Sequence, residues 1–244
     1  MHLRGTVALI TGSADRIGRA VALTLAERGV DVVIHYRRSA KEAKATVAAC
    51  RQYGIQAVSL RADLTRSRDV DRLFRGVLKR FRRLDILVNN AAVFLKTPFL
   101  TCTESDWDNT LDTNLKGSFL CAQRAAKVML KKGRGKIINI ADWAGLRPYV
   151  NYLPYCVSKA GVIALTKALA LELAPKIQVA GIAPGPILLP KNFTKKEAKE
   201  VKGNVPLKRI GSPEDIAKTV LFLLEGTDFI TGSTLLVDGG ESIA

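Results

Sequence analysis

Short apolar runs recur along the chain, each closed by small or polar residues and followed by a stretch with helical spacing. The first, residues 6–10, lies between Gly5 and Gly12. An unbroken run of that length predicts a strand buried on both faces, as in a parallel sheet. Val21, Leu25 and Ala26 then recur at helical spacing up to Gly29. The pairing repeats with a strand at 32–34 and a helix at 41–53. After a strand at 57–60, Ser67 is the expected cap of a helix carrying Val70, Leu73, Phe74 and Val77 on one face. A strand at 86–88 precedes helices at 107–115 and 116–130. A strand at 136–140 precedes a helix through Leu165, Leu169 and Leu173 to Pro175. A sixth strand is expected at 177–182. Ser212-Pro213-Glu214-Asp215 opens a further helix, because proline suits the first helical position, and a last strand follows at 234–237.

Strands alternating with helices from end to end predict an α/β fold: a Rossmann-type, doubly wound parallel sheet with helices on both faces. One domain is expected over 1–244, with the polar, lysine-rich segment at about 188–205 as a flap. In such a sheet ligands bind beyond the carboxyl ends of the strands. Gly12, Arg37, Asn90, Asp142 and Gly185 all follow predicted strands at that end, so one cleft collects them.

Composition fits this picture. A chain of 244 residues, 48% hydrophobic and 25% charged, has the material for one large core and is not a disordered or membrane chain. No stretch offers about 18 uncharged apolar residues and no leader is evident, so a cytoplasmic protein without a membrane span is expected. The 4 cysteines are scattered without a C-x-x-C pair, which predicts reduced thiols and no metal site. The net charge of +16 raises nucleic-acid binding. The basic clusters carry no interleaved aromatics, so they are expected to be solvated surface with some phosphate recognition, and no nucleic-acid partner is assigned.

Candidate chemistry sits on the turns after the strands. Gly12-Ser13-Ala14-Asp15-Arg16-Ile17-Gly18 lies between a strand and a helix. Glycine there lets the backbone approach a dinucleotide pyrophosphate, and the helix N-terminus supplies free N–H groups. The tip of the second strand reads His35-Tyr36-Arg37-Arg38-Ser39. A carboxylate there would take the ribose hydroxyls of NAD; two arginines and a serine suit a 2′-phosphate, so the cofactor expected is NADPH. Asn90-Ala91-Ala92 offers small residues for close approach by a bound ring. Tyr155 and Lys159 lie four apart, one turn along a helix face, and the ammonium is expected to pull the phenol pKa down. Asp142 precedes them after the fifth strand.

Over nearly its whole length the chain resembles the short-chain dehydrogenase/reductases. The matching stretches are Thr11-Gly12 with Gly18, Asn89-Asn90-Ala91, Asn114, Tyr155 with Lys159, Pro184-Gly185, and Ile230-Thr231-Gly232 to Asp238-Gly239-Gly240. The resemblance implies a nicotinamide cofactor, hydride transfer and a homotetramer. It makes Tyr155 the acid/base, Lys159 its partner at the nicotinamide ribose and Asn114 the holder of a relay water. It also places Asp63 and Leu64 at the adenine, and Pro184, Gly185 and Ile187 among the cofactor-binding residues.

Four positions depart from the family pattern. Arg16 stands where a glycine is usual, Asp142 for the catalytic serine, Ala180 for an asparagine, and Leu189 for the threonine after the Pro-Gly turn. Arg16, Asp142 and the 35–40 segment resemble the pteridine reductases and the bacterial dihydromonapterin and dihydrofolate reductases of this fold. There the arginine reaches cofactor phosphates and pterin, the aspartate works with the tyrosine and lysine, and a phenylalanine stacks on the pterin. Phe94 stands at that place, with packing against the flap as its other reading. Trp143, Tyr149 and Tyr152 are open between pocket wall and core.

The first expectation is therefore an NADPH-dependent reductase of a pterin-like C=N bond, with Arg16, Phe94, Asp142 and Tyr155 at the substrate. The alternative is a carbonyl reductase such as a 3-oxoacyl-[acyl-carrier-protein] reductase. A third, from another class, is a non-catalytic cofactor-sensing or nucleic-acid-binding protein, against which Asn114, Tyr155 and Lys159 argue.

Overall fold

Alternation inside each strand explains why the strands read as unbroken apolar runs. In β1 (Val7–Ile10), Ala8 and Ile10 face one helical layer while Val7 and Leu9 face the other. The computed structural model describes residues 1–189 and 194–244. Its sheet has seven parallel strands in the order β3-β2-β1-β4-β5-β6-β7. The others are β2 (Asp31–Tyr36), β3 (Ala57–Arg61), β4 (Ile86–Asn89), β5 (Gly135–Ile140), β6 (Ile177–Pro184) and β7 (Thr234–Val237). The order reverses between β1 and β4, which opens a crevice at their carboxyl ends.

Helices α1 (Arg16–Glu27), α2 (Ala40–Arg51) and α8 (Pro213–Glu225) cover one face, through Val21, Leu25, Val47, Ile216 and Val220. On the other, α3 (Ser67–Phe81) and α5 (Gly117–Lys132) bury Val70, Leu73, Val77, Leu120 and Met129. The single doubly wound domain expected from the sequence is thus present. Ser212 caps α8 in a capping box with Asp215, with Pro213 at the first helical position. Ser67 is not a cap: Arg66 holds that position and Ser67 begins α3.

The two helices expected between 107 and 130 are one continuous element. Helix α4 (Glu104–Leu111) passes through a π-type turn, Asp112–Lys116, straight into α5. Thr113 and Asn114 are buried within this wider turn. Helix α6 (Leu153–Leu173) carries Tyr155 and Lys159, both buried. The segment expected as a flap contains α7 (Lys195–Asn204), started by a capping box between Thr194 and Glu197; residues 190–193 of it lie outside the described residues.

Candidate active site

The cofactor half of the crevice is a backbone-to-backbone assembly. Gly12 follows β1 at φ +62°, a left-handed conformation that favours glycine. A Cβ there would lie 2.8 Å from Ala91 Cα, and one on Gly18 would lie 2.5 Å from the Gly12 carbonyl oxygen. The Asn90 amide ties these pieces, donating to Thr11 O at 2.9 Å and to Gly12 O at 3.0 Å. His35 holds the same loop from behind. The Gly12 N–H donates to His35 Nδ1 at 3.0 Å, so the ring proton belongs on Nε2, 3.2 Å from Ala62 O. Burial pulls the His35 pKa down to about 4, although the Ala62 carbonyl and Asp63 favour the cation. The imidazole is therefore neutral at neutral pH, as an acceptor from Gly12 must be.

At the start of α1, Asp15 makes no side-chain cap and the first turn holds no acidic residue. The first N–H groups of the helix thus face the glycine loop uncapped, in a cradle that side chains on Gly12 and Gly18 would fill. A dinucleotide pyrophosphate fits this arrangement. Arg16 opens α1 at φ +52°, a strained conformation for a side chain larger than glycine, and its guanidinium reaches Leu188 O at 3.4 Å.

The catalytic half is carried by β5 and α6. The Tyr155 hydroxyl donates to Asp142 Oδ2 at 2.7 Å, and Asp142 Oδ1 accepts the Ala144 N–H at 2.8 Å. Lys159 Nζ donates to Ile140 O at 2.8 Å and lies 5.7 Å from the Tyr155 ring centroid. Burial pulls Lys159 down to about 8, against the opposing pull of Asp142. Burial also pushes the Asp142 carboxyl above its usual range, while Tyr155, the Ala144 N–H and Lys159 pull it back. Tyr155 corrects the expectation from spacing. Burial, together with the charge and hydrogen bond of Asp142, raises its phenol well above 10, so Lys159 does not make it acidic here.

These residues share a cavity of about 930 Å³. Of the expected cofactor residues, Gly12, Arg16, Ile17, Gly18, His35 and Arg37 line it. So do Asp63, Leu64, Asn90, Ala91, Ala92, Pro184, Gly185 and Ile187. Phe94, Asp142, Tyr155 and Lys159 line the catalytic half. Ser13 does not: it is buried, with its hydroxyl on Ile10 O. Tyr36 packs against the core, Arg38 is exposed away from the cavity, and Ser39 sits at the N-cap position of α2. Asn114 lies behind the wall. Its side chain accepts the Val93 N–H at 2.8 Å and donates to Ser158 Oγ at 3.0 Å, bracing α6 against the loop after β4.

The aromatic residues left open between pocket and core fall on both sides. Tyr149 and Tyr152 line the cavity and Trp143 is buried beneath them. Phe94 stacks on Tyr152 with centroids 4.4 Å apart and rings 10° from parallel, and meets Tyr155 edge-on at 4.7 Å. Phe94 is still 45% exposed, so a substrate ring can reach it. Glu241 also lines the cavity and was not anticipated. Its signal was its place immediately after Asp238-Gly239-Gly240, a stretch singled out only for family resemblance.

Comparison with known proteins places this geometry in context. A family model described as enoyl-(acyl carrier protein) reductase matches residues 12–242. A 3-oxoacyl-[acyl-carrier-protein] reductase of Synechocystis sp. is 40% identical over 244 residues, covering 98% of this chain and 97% of the relative. A protein of the same name from Staphylococcus epidermidis is 37% identical over 96% of this chain and 97% of the relative. Among solved structures, NAD+-bound xylitol dehydrogenase superposes with a TM-score of 0.92 at 31% identity, over 98% of this chain and 100% of that one. Levodione reductase gives 0.94 at 30% identity, over 99% of both chains. The relatives' names support the carbonyl-reductase alternative better than the pterin reading.

Proposed function

The chain belongs to the short-chain dehydrogenase/reductase family of oxidoreductases, and from that footing we propose that it is an NADPH-dependent reductase of a C=N bond in a flat, pterin-like heterocycle. The observation that carries this reading is the hydrogen bond from Tyr155 to Asp142. A serine hydroxyl at that place could donate to a substrate carbonyl oxygen. An ionised carboxylate only accepts, and it repels the alkoxide that develops as a ketone is reduced. A heterocycle with ring N–H groups suits an acceptor.

The cradle of Gly12, Gly18 and the α1 N-terminus would hold the cofactor pyrophosphate. Arg37, at the tip of β2, would meet the 2′-phosphate. A nicotinamide dinucleotide, when bound, supplies the hydride. Tyr155 keeps its proton until the substrate nitrogen takes it, because burial and Asp142 both oppose phenolate. Lys159 balances the charge of Asp142 from behind the phenol, and Asn114 is a positioning residue for α6.

The second reading is a 3-oxoacyl-thioester reductase, favoured by the names of relatives at 37–40% identity. Following NADPH absorbance with dihydrobiopterin and with an acetoacetyl thioester separates the two. The first reading expects turnover of the pterin and little of the thioester; the reverse result installs the second. We also infer a homotetramer, supported by exposed apolar side chains such as Trp107, Val157, Leu171, Phe222 and Phe229.

A further inference from the structure

The ladder between β1 and β2 ends at Ile10 and Ile34, short of the glycine turn at the cofactor end of the crevice. Beyond it, His35 carries the connection. The Gly12 N–H donates to His35 Nδ1 and the Ser13 N–H to the His35 main-chain oxygen, both at 3.0 Å. From the other side, the Asn90 amide donates to Thr11 O and Gly12 O. The turn is therefore clamped between a residue of β2 and a side chain from the loop after β4.

The same ring reaches a third strand. A backbone N–H can only donate, so Nδ1 is the acceptor and the ring proton sits on Nε2, 3.2 Å from Ala62 O. Ala62 follows β3 and donates its own N–H to Tyr36 O at 3.1 Å. Asp63 and Leu64 come next in the chain and line the cavity. One imidazole, 2% exposed, thus joins the glycine turn to the wall after β3. It has one acceptor and one donor, and both are used. A side chain that only filled space there would need neither. Without the ring, the Gly12 N–H and the Ala62 carbonyl lose their partners. Both segments then gain freedom that a ligand must take up on binding.

We propose that His35 is a positioning residue for the bound dinucleotide: through one neutral ring it holds the pyrophosphate turn and the adenosine wall in a single preformed arrangement. This rests on the reading of the crevice as a nicotinamide dinucleotide site and is independent of the substrate. The turn and the wall meet parts that NADPH and NADH share. His35 therefore acts on both cofactors alike, unlike Arg37, which acts on the 2′-phosphate.

The test measures dissociation constants of NADPH and NADH by calorimetry on the full chain, in the parent, His35→Leu and His35→Asn. His35→Leu should weaken both cofactors by a similar factor of at least about ten. Asparagine carries an acceptor oxygen at the place of Nδ1, so His35→Asn should bind both at least about threefold more tightly than His35→Leu. An asparagine variant no better than the leucine one marks the ring as packing and overturns the proposal. So does a loss confined to NADPH. Nitrogen NMR of the histidine-labelled parent gives a second readout, which stands even if His35→Leu does not fold. At neutral pH the His35 ring should be neutral and protonated on Nε2, both free and with NADPH bound. A cation, or a ring protonated on Nδ1, overturns the proposal. A parent that binds neither dinucleotide removes the cofactor reading and this proposal with it. A parent that binds both, with His35→Leu binding them as tightly, removes this proposal alone.

Discussion

The Tyr155 hydroxyl donates to Asp142 Oδ2 across 2.7 Å, at the place where the family pattern has a second hydroxyl. Two hydroxyls can both donate to one carbonyl oxygen; a hydroxyl and a carboxylate cannot. The consequence is electrostatic as well as geometric. Burial and the carboxylate keep Tyr155 protonated, while burial lifts Asp142 and lowers Lys159. Tyr155 is therefore a neutral phenol in this site.

Lys159 should set the alkaline side of the pH profile. Its pKa is about 8, so its charge is present below that pH and lost above it. The rate constant kcat/KM for reduction should fall above about pH 8, since that quantity reports the free enzyme. Asp142 pushes the Lys159 pKa up. Asp142→Asn should therefore move the alkaline limb to lower pH. A limb that stays put, or moves up, would show that Lys159 does not govern it.

Arg16 gives a case in which stability and function separate. A left-handed φ costs a non-glycine residue about 1–2 kcal/mol, and glycine gives back roughly 0.5–1 kcal/mol through its unfolded-state entropy. Arg16→Gly should leave the melting temperature near the parent's or slightly higher. It should raise the Michaelis constants for NADPH and substrate by roughly tenfold or more, through loss of a charged hydrogen bond. Unchanged kinetics would make Arg16 a surface residue tolerated at the rim.

The two arginines after β2 should now be unequal. Arg37 lines the cavity and pairs with Asp63 at 3.0 Å, whereas Arg38 is exposed outside it. Arg37→Ala should raise the Michaelis constant for NADPH by roughly ten- to a hundredfold and leave that for NADH almost unchanged. Arg38→Ala should have the smaller effect. Equal losses with both cofactors would remove the 2′-phosphate assignment.

Phe229 is fully exposed and Leu171 is 85% exposed. If they lie in subunit contacts, light scattering at micromolar concentration should give four copies, and Phe229→Asp with Leu171→Asp should give a smaller species. A monomeric parent would contradict the tetramer.

The strands, their parallel arrangement and the glycine turn before α1 were legible because their signals are local: unbroken apolar runs, and Gly12 and Gly18 between a strand and a helix. The π-type turn at Asp112–Lys116 left no such signal, since one extra residue in a turn does not alter which residue types appear. Ser67 failed as a cap because Arg66 occupies that position and the hydroxyl falls one residue inside the helix. Spacing brought Lys159 near Tyr155 correctly, yet the sign of the phenol shift depends on burial and Asp142, which spacing does not report. Glu241 escaped notice because a lone acidic residue after a glycine pair looks like any exposed turn; only the tertiary structure puts it in the cavity wall.

The most direct test of the account is Asp142→Ser, assayed for NADPH oxidation with dihydrobiopterin and with an activated ketone such as an acetoacetyl thioester. Restoring the hydroxyl restores a donor to a carbonyl oxygen and removes the acceptor that a heterocycle needs. The variant should lose pterin reduction by at least about tenfold, within the range of general acid catalysis, and should keep or gain ketone reduction with NADPH affinity intact. A variant that reduces dihydrobiopterin as well as the parent does would make the carboxylate incidental and contradict the account in favour of the 3-oxoacyl reductase.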